Sequence, residues 1–250
     1  MNSIARILIT ALLLSAALPT LADYHATLPR WQAVLEAYVD DQGRTDFVRL
    51  ATSRSDLDAF VRALERDGPR SNPARFDSRE AQLAFHINAY NALAMHGILE
   101  RGIPKNFSSF FKRARFFRFR SITVDGDETN LYDYENKVIR KLNDPRVHFA
   151  LNCMVRDCPR LPQTPFIAAE IDAQLDALSR EFFSKSKHIR VENDVKRLHL
   201  SSILDFYTED FTSAGEQGLI EYVNQWRDTP VPRDFQVEFI EYDWTVNQAP

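Results

Sequence analysis

The stretch RVHFALNCMVRDCP, residues 146–159, carries one of the six histidines and both cysteines of a 250-residue chain. A catalytic thiol needs a base to form the thiolate, a group that holds the base in one tautomer, and donors for an oxyanion. Cys153, His148 and Glu135 supply nucleophile, base and orienting carboxylate by residue type. The same cysteines suit a plainer arrangement. Cys153 and Cys158 enclose four residues and have no other cysteine to pair with, so an oxidising compartment would join them in a disulfide. A redox-gated thiol would alternate between the two states. No metal or other cofactor is expected, because His188 and His199 lie in segments without ligand spacing to add to His148, Cys153 and Cys158.

The elements that must position these groups can be read from hydropathy. In NLYDYENKVIRKL, Asn130 is a good N-cap, and Leu131, Tyr134, Val138 and Leu142 form one helical stripe with Glu135 inside it. A carboxylate in such a place needs pairing or strong hydrogen bonds. A pair with Arg140 or Arg146 competes here with a catalytic role. DPRVHFALNC reads as a turn followed by a strand, Val147, Phe149 and Leu151 on one face and His148, Ala150 and Asn152 on the other. That alternation puts His148 and Cys153 on opposite faces unless the strand ends or bulges at Asn152.

The clearest helix spans SREAQLAFHINAYNALAMHGILERG, with Leu83, Phe85, Ala89, Ala92, Met95 and Leu99 near one face and Gly102 at the stop. Asn88 and Asn91 lie on or beside that face. Their amides must therefore meet either a neighbouring loop's backbone or the polar groups of a site. His86 and His96, ten positions apart, are separated by about 15 Å along the axis and cannot share a metal. Helices are also predicted over 28–39 and 55–66. The segment NFSSFFKRARFFRFRSITV interleaves six phenylalanines with five basic residues. Over 115–120 it reads as a half-buried strand, Arg outside and Phe inside, in preference to a nucleic-acid surface. A strand over 197–200, an N-cap at Ser201 or Ser202, a helix with Ile203, Tyr207 and Phe211 inward, and a last strand within QVEFIEYDWTVN complete the pattern.

The chain opens with Arg6, an apolar run from Ile7 to Leu18, Pro19 and the small-residue end Thr20-Leu21-Ala22, the form of a signal peptide. The run is too short for a membrane span, and no cysteine follows to carry a lipid. Cleavage near Ala22 predicts a periplasmic or secreted protein formed by residues 23–250 as a single domain. Losing Arg6 and no acid takes the formal charge from −4 to −5, which does not favour nucleic acid. With only seven glycines, tight turns are few, so the expected class is α+β: a helix-rich domain with a small, mostly antiparallel sheet.

FHINAYNAL, DPRVHFALNC with the following CP, LSSILDFYTEDF and EYDWTVN resemble, in order, the signature blocks of the domain of unknown function 547 (DUF547) family, over about residues 81–247. The resemblance implies a helix-rich α+β domain with a distant relation to papain-like thiol enzymes. It implies a shared site at Glu135, His148 and Cys153, with Asn88, Tyr90 and Asn91 nearby. Two departures stand out: bulky Met154-Val155-Arg156-Asp157 after the first cysteine, and Asn136 where a histidine is expected.

Two functions follow. The first is an exported cysteine-dependent hydrolase or acyltransferase acting on an amide or thioester of a small-molecule or peptide-like substrate. The second is a non-catalytic exported binding or scaffold domain with a Cys153–Cys158 disulfide and an internal polar network of Glu135, Arg146 and His148.

Overall fold

The computed structural model describes residues 23–250; the leader assigned to residues 1–22 lies outside them. Asp23 accepts from the Ala26 N–H and so caps α1 (Tyr24–Tyr38), which is followed by α2 (Phe47–Thr52) and α3 (Ser55–Leu64). Trp31 of α1 lies flat on Phe60 of α3, ring centroids 5.6 Å apart. Both helices pack beside α4 (Arg79–Glu100), which Ser78 caps and which stops just before Gly102 at φ +68°. Every residue of α4 from Leu83 to Leu99 is buried except His96. A helix enclosed on all sides is a core element rather than a surface one, so the single apolar face expected for it understates its burial.

Next come α5 (Phe110–Phe117) and the hairpin β1 (Ile122–Val124) and β2 (Asp127–Thr129). Asp125 and Gly126 both have positive φ, as a two-residue hairpin turn requires. After α6 (Leu131–Tyr134) and a run of irregular turns, α7 (Ile171–Phe182) packs against α4 and against residues 145–149. The second sheet holds β3 (Ile189–Glu192), β4 (Arg197–Ser201) and β5 (Gln236–Ile240). The central strand β4 runs antiparallel to β3 and parallel to β5. Between β4 and β5 lie α8 (Ser202–Phe206), α9 (Thr208–Phe211) and α10 (Glu216–Asn224). This is the helix-rich α+β arrangement expected, with two of the three strand pairs antiparallel.

Three local expectations are corrected. Residues 110–117 form a helix, not the strand read over 115–120. Ser109 accepts from the Lys112 N–H and starts the helix, and Phe110, Phe111 and Phe119 face solvent. Residues 145–149 form a 3₁₀ turn, not a strand: Pro145 fits the first helical position, and Asp144 accepts from the Arg146 N–H. The opposite-faces objection to His148 and Cys153 therefore lapses.

The third correction concerns the helix expected over 131–142. It widens to a π-helical turn at Glu135–Ile139 and tightens to a 3₁₀ turn at Arg140–Leu142. The extra residue of the wide turn advances the helical phase by one position. Ile139 is buried where Val138 was expected, Val138 faces out, and Glu135 still points inward.

Candidate functional site

A cavity of about 400 Å³ forms where α4, α5, the 131–142 turns, the 145–153 segment, α8 and residues 242–244 converge. Along α5, Phe110, Arg113, Ala114 and Phe117 face it at helical spacing. Tyr132 comes from α6, Glu135, Asn136 and Arg140 from the irregular turns after it, and His148, Leu151 and Cys153 from the segment beyond. Ile203, Phe206, Tyr207, Tyr242 and Trp244 close the far wall, and Tyr90 reaches in from α4.

Glu135 is buried, and its neighbours are tyrosines. Burial and then the negative charge of Glu135 push the phenols of Tyr90 and Tyr207 well above their ordinary value, which keeps both as hydroxyl donors towards the carboxylate. The Nδ1 of His148 stands 4.0 Å from Glu135 Oε1. No lysine or arginine among the described residues forms an ion pair with Glu135.

The stronger partner of His148 is Asp210, whose Oδ2 lies 2.7 Å from Nε2. Arg140 also binds Asp210, Nε to Oδ2 at 2.6 Å and Nη2 to Oδ1 at 2.7 Å, and reaches Glu209 and Asn136. Burial works to raise the Asp210 carboxyl, but the hydrogen bonds from His148 and Arg140 prevail and hold it below the usual carboxylate range. An ionised Asp210 can only accept, so Nε2 carries the ring proton in that bond. The His148 ring lies on Tyr207, centroids 4.0 Å apart, which fixes its plane.

Cys153 and Cys158 are joined in a disulfide with Cα atoms 6.0 Å apart. Cys153 lines the cavity and is partly exposed, while Cys158 is buried. The Tyr242 hydroxyl bridges the two sulfurs at 3.5 and 3.6 Å, and the Cys153 N–H points to the Cys158 sulfur at 3.1 Å. Asn152 clasps the loop by accepting from the Met154 N–H and donating to the Pro159 carbonyl. Met154 adopts φ +63°, an uncommon conformation for a residue with a side chain.

The structure thus brings Glu135, His148, Cys153 and Tyr90 to one cavity and leaves Asn88, Asn91 and Arg146 outside it. Asn88 braces a loop: it exchanges hydrogen bonds with both backbone groups of Phe166, donates to Tyr24 and accepts from Trp31. Asn91 donates to the Ala150 carbonyl and accepts from the Asn152 N–H, holding the segment that delivers Cys153. Arg146 binds Asp144, Asp172 and Asp176, away from Glu135 and His148. The expected pair of Glu135 with Arg140 or Arg146 does not form, because both guanidiniums are occupied by other carboxylates.

Sequence reasoning missed Asp210, Arg140's bond to it, and the sulfur-facing role of Tyr242. The block LSSILDFYTEDF held the signal, since an acid directly before the inward Phe211 could have been asked which histidine it serves.

Residues 74–183 match the family model described as "Protein of unknown function, DUF547". That segment contains Tyr90, Glu135, His148 and both cysteines, and stops short of Tyr207, Asp210 and Tyr242. No curated protein and no solved structure matches the chain.

Proposed function

We propose that this chain, a member of the DUF547 family through residues 74–183, is an exported binding domain whose cavity takes a small molecule or peptide end bearing both a basic nitrogen and a carboxylate. The observation that carries the reading is Glu135, a buried carboxylate on the cavity wall that no lysine or arginine among the described residues pairs with. Phenol donors offset part of the cost of holding a carboxylate out of water, and a counter-charge offsets more of it. An ammonium group entering the cavity supplies that charge. Tyr242 lines the same cavity and offers a cation an aromatic neighbour. Arg113 and Arg118 line the same cavity, each stacked on an aromatic ring and with no acidic partner among the described residues. They suit the ligand's carboxylate.

A non-catalytic role is supported by the sulfur of Cys153, held in a disulfide, and by His148, both of whose ring nitrogens face carboxylates. Export to the periplasm or beyond is supported by the signal-peptide pattern and by a disulfide, which persists in oxidising compartments.

Calorimetric titration of the oxidised protein with amino acids and short peptides, beside amine-only and carboxylate-only analogues, tests the reading. Ligands with both charges should bind best, and Glu135→Gln should weaken them about tenfold or more, roughly 1.4 kcal/mol. Unchanged affinity in that variant would refute the role given to Glu135.

The cysteine-dependent hydrolase or acyltransferase keeps one observation in its favour: Glu135, His148 and Cys153 line one cavity. It requires reduction first. Thioester or amide cleavage by the reduced protein, lost in Cys153→Ser and absent when oxidised, would select it over simple binding.

A further inference from the structure

We infer that the surface built by α5 and the residue pair just beyond it docks on an anionic phospholipid bilayer. Phe110, Phe111 and Phe119 are 76%, 68% and 71% exposed, three large apolar side chains in water within one short segment. Single exposed apolar residues are ordinary, whereas a cluster of aromatic ones marks a surface that meets something apolar.

The charge beside them says what that is. Lys112, Arg115 and Arg118 lie in the same segment, and no acid occurs anywhere in residues 106–124. None of these three cations has a carboxylate partner among the described residues: Lys112 reaches the Asn106 side chain, and Arg118 lies over the ring of Tyr132, 3.5 Å from its centroid. A local excess of positive charge on a chain of net charge −4 matches a negatively charged surface. Nucleic acid would satisfy the cations but leave three phenylalanine rings without apolar cover. A bilayer interface accommodates both, taking the rings at the level of the acyl boundary and the cations among the headgroups.

Phe110 and Arg118 also line the cavity described above. Docking therefore turns the mouth of that cavity towards the membrane. The inference does not depend on what the cavity binds, and its test involves no cavity ligand.

The test is co-sedimentation of the oxidised mature protein with vesicles of phosphatidylcholine alone and of phosphatidylcholine with about a quarter phosphatidylglycerol. Binding is expected only with the anionic lipid, and should weaken on going from ~0.1 M to ~1 M salt, where the Debye length falls from about 10 Å to 3 Å. The triple variant Phe110→Ser, Phe111→Ser, Phe119→Ser should lose about tenfold or more in partitioning, and so should Lys112→Gln with Arg115→Gln. All five positions contact solvent, so the melting temperature is expected to hold and reports whether either variant has misfolded. No binding to anionic vesicles, or binding unaffected by both variants, overturns the inference. So does concentration-dependent self-association through the same phenylalanines in the absence of lipid, or tight binding of an oligonucleotide without vesicle binding.

Discussion

Replacing Asn91 with alanine should destabilise the fold through the loop it holds rather than through any chemistry. The amide is about 1% exposed, donates to the Ala150 carbonyl at 3.0 Å and accepts from the Asn152 N–H at 2.7 Å. Truncation leaves one backbone acceptor and one backbone donor, both buried, without their partner. Each such group costs about 1–3 kcal/mol, and partial relaxation brings the sum to roughly 2–4 kcal/mol. With a urea m-value of about 3 kcal/mol/M, the unfolding midpoint should fall by about 1 M. Asn91→Asp keeps the acceptor and loses the donor, so it should fall between wild type and alanine if the loop polarity sets the cost. Equilibrium urea denaturation followed by far-ultraviolet circular dichroism reads both. A loss below about 0.5 kcal/mol for the alanine variant would mean that the 150–152 segment is held by other contacts, and the account of how Cys153 is positioned would fail.

Two further outcomes are expected. Cys153→Ser with Cys158→Ser should cost about 2 kcal/mol from the loss of a short closed loop, measured as the difference in unfolding free energy from the oxidised protein; no change would show that the Asn152 clasp alone fixes the loop. His86 is buried, bonded to the Tyr134 hydroxyl at 2.7 Å, and burial pushes its pKa down to about 4. The unfolded chain therefore takes up a proton near pH 6.5 that the folded chain refuses, so stability is full above that pH and falls by up to ~3 kcal/mol between pH 6.5 and 4. His188, pushed down to about 2 by burial, acts in the same direction. His86→Gln should flatten the decline over this window in urea titrations, and an unaltered slope would contradict the assignment. The lowered carboxyls of Asp210 and Asp144 give their losses only below about pH 4, where those groups protonate in the unfolded chain.

What the sequence disclosed and what it concealed divide along the range of the interactions. Helices α1, α3 and α4, the strand β4 and the cap at Ser201 follow from patterns confined to a few turns of chain, and Ser201 does accept from the Ile203 N–H. The Arg and Phe alternation in residues 115–120 misled because its period is matched over only a few positions. The cap at Ser109, local but weak as a pattern, decided for a helix. Glu135 was legible as an acid in an apolar stripe, yet the wide turn that keeps it inward while exchanging Val138 for Ile139 has no local signature. The partner of His148 lies 62 residues away in sequence, and Tyr242 lies 84 from Cys158. Such pairings are fixed by topology, which a single sequence does not spell out.

The backbone around residues 244–249 is hydrogen-bonded to three separate stretches. It meets Thr45 near α2, Lys105 and Phe107 before α5, and Met154 and Arg156 in the disulfide loop. The same stretch supplies Trp244 to the cavity, and Tyr242 beside it completes the wall and touches both sulfurs. Pairings of such sequence separation form late, because the loop entropy of closing them must be met before they return any stability. A chain synthesised N-terminus first can therefore assemble α1, α3 and α4 early, but holds an open, unlined cavity until residues 242–249 arrive. Order of emergence thus becomes a form of timing control: the pocket cannot exist on an incomplete molecule, and the Tyr242 hydroxyl reaches the sulfurs only after the polypeptide around them has been drawn together.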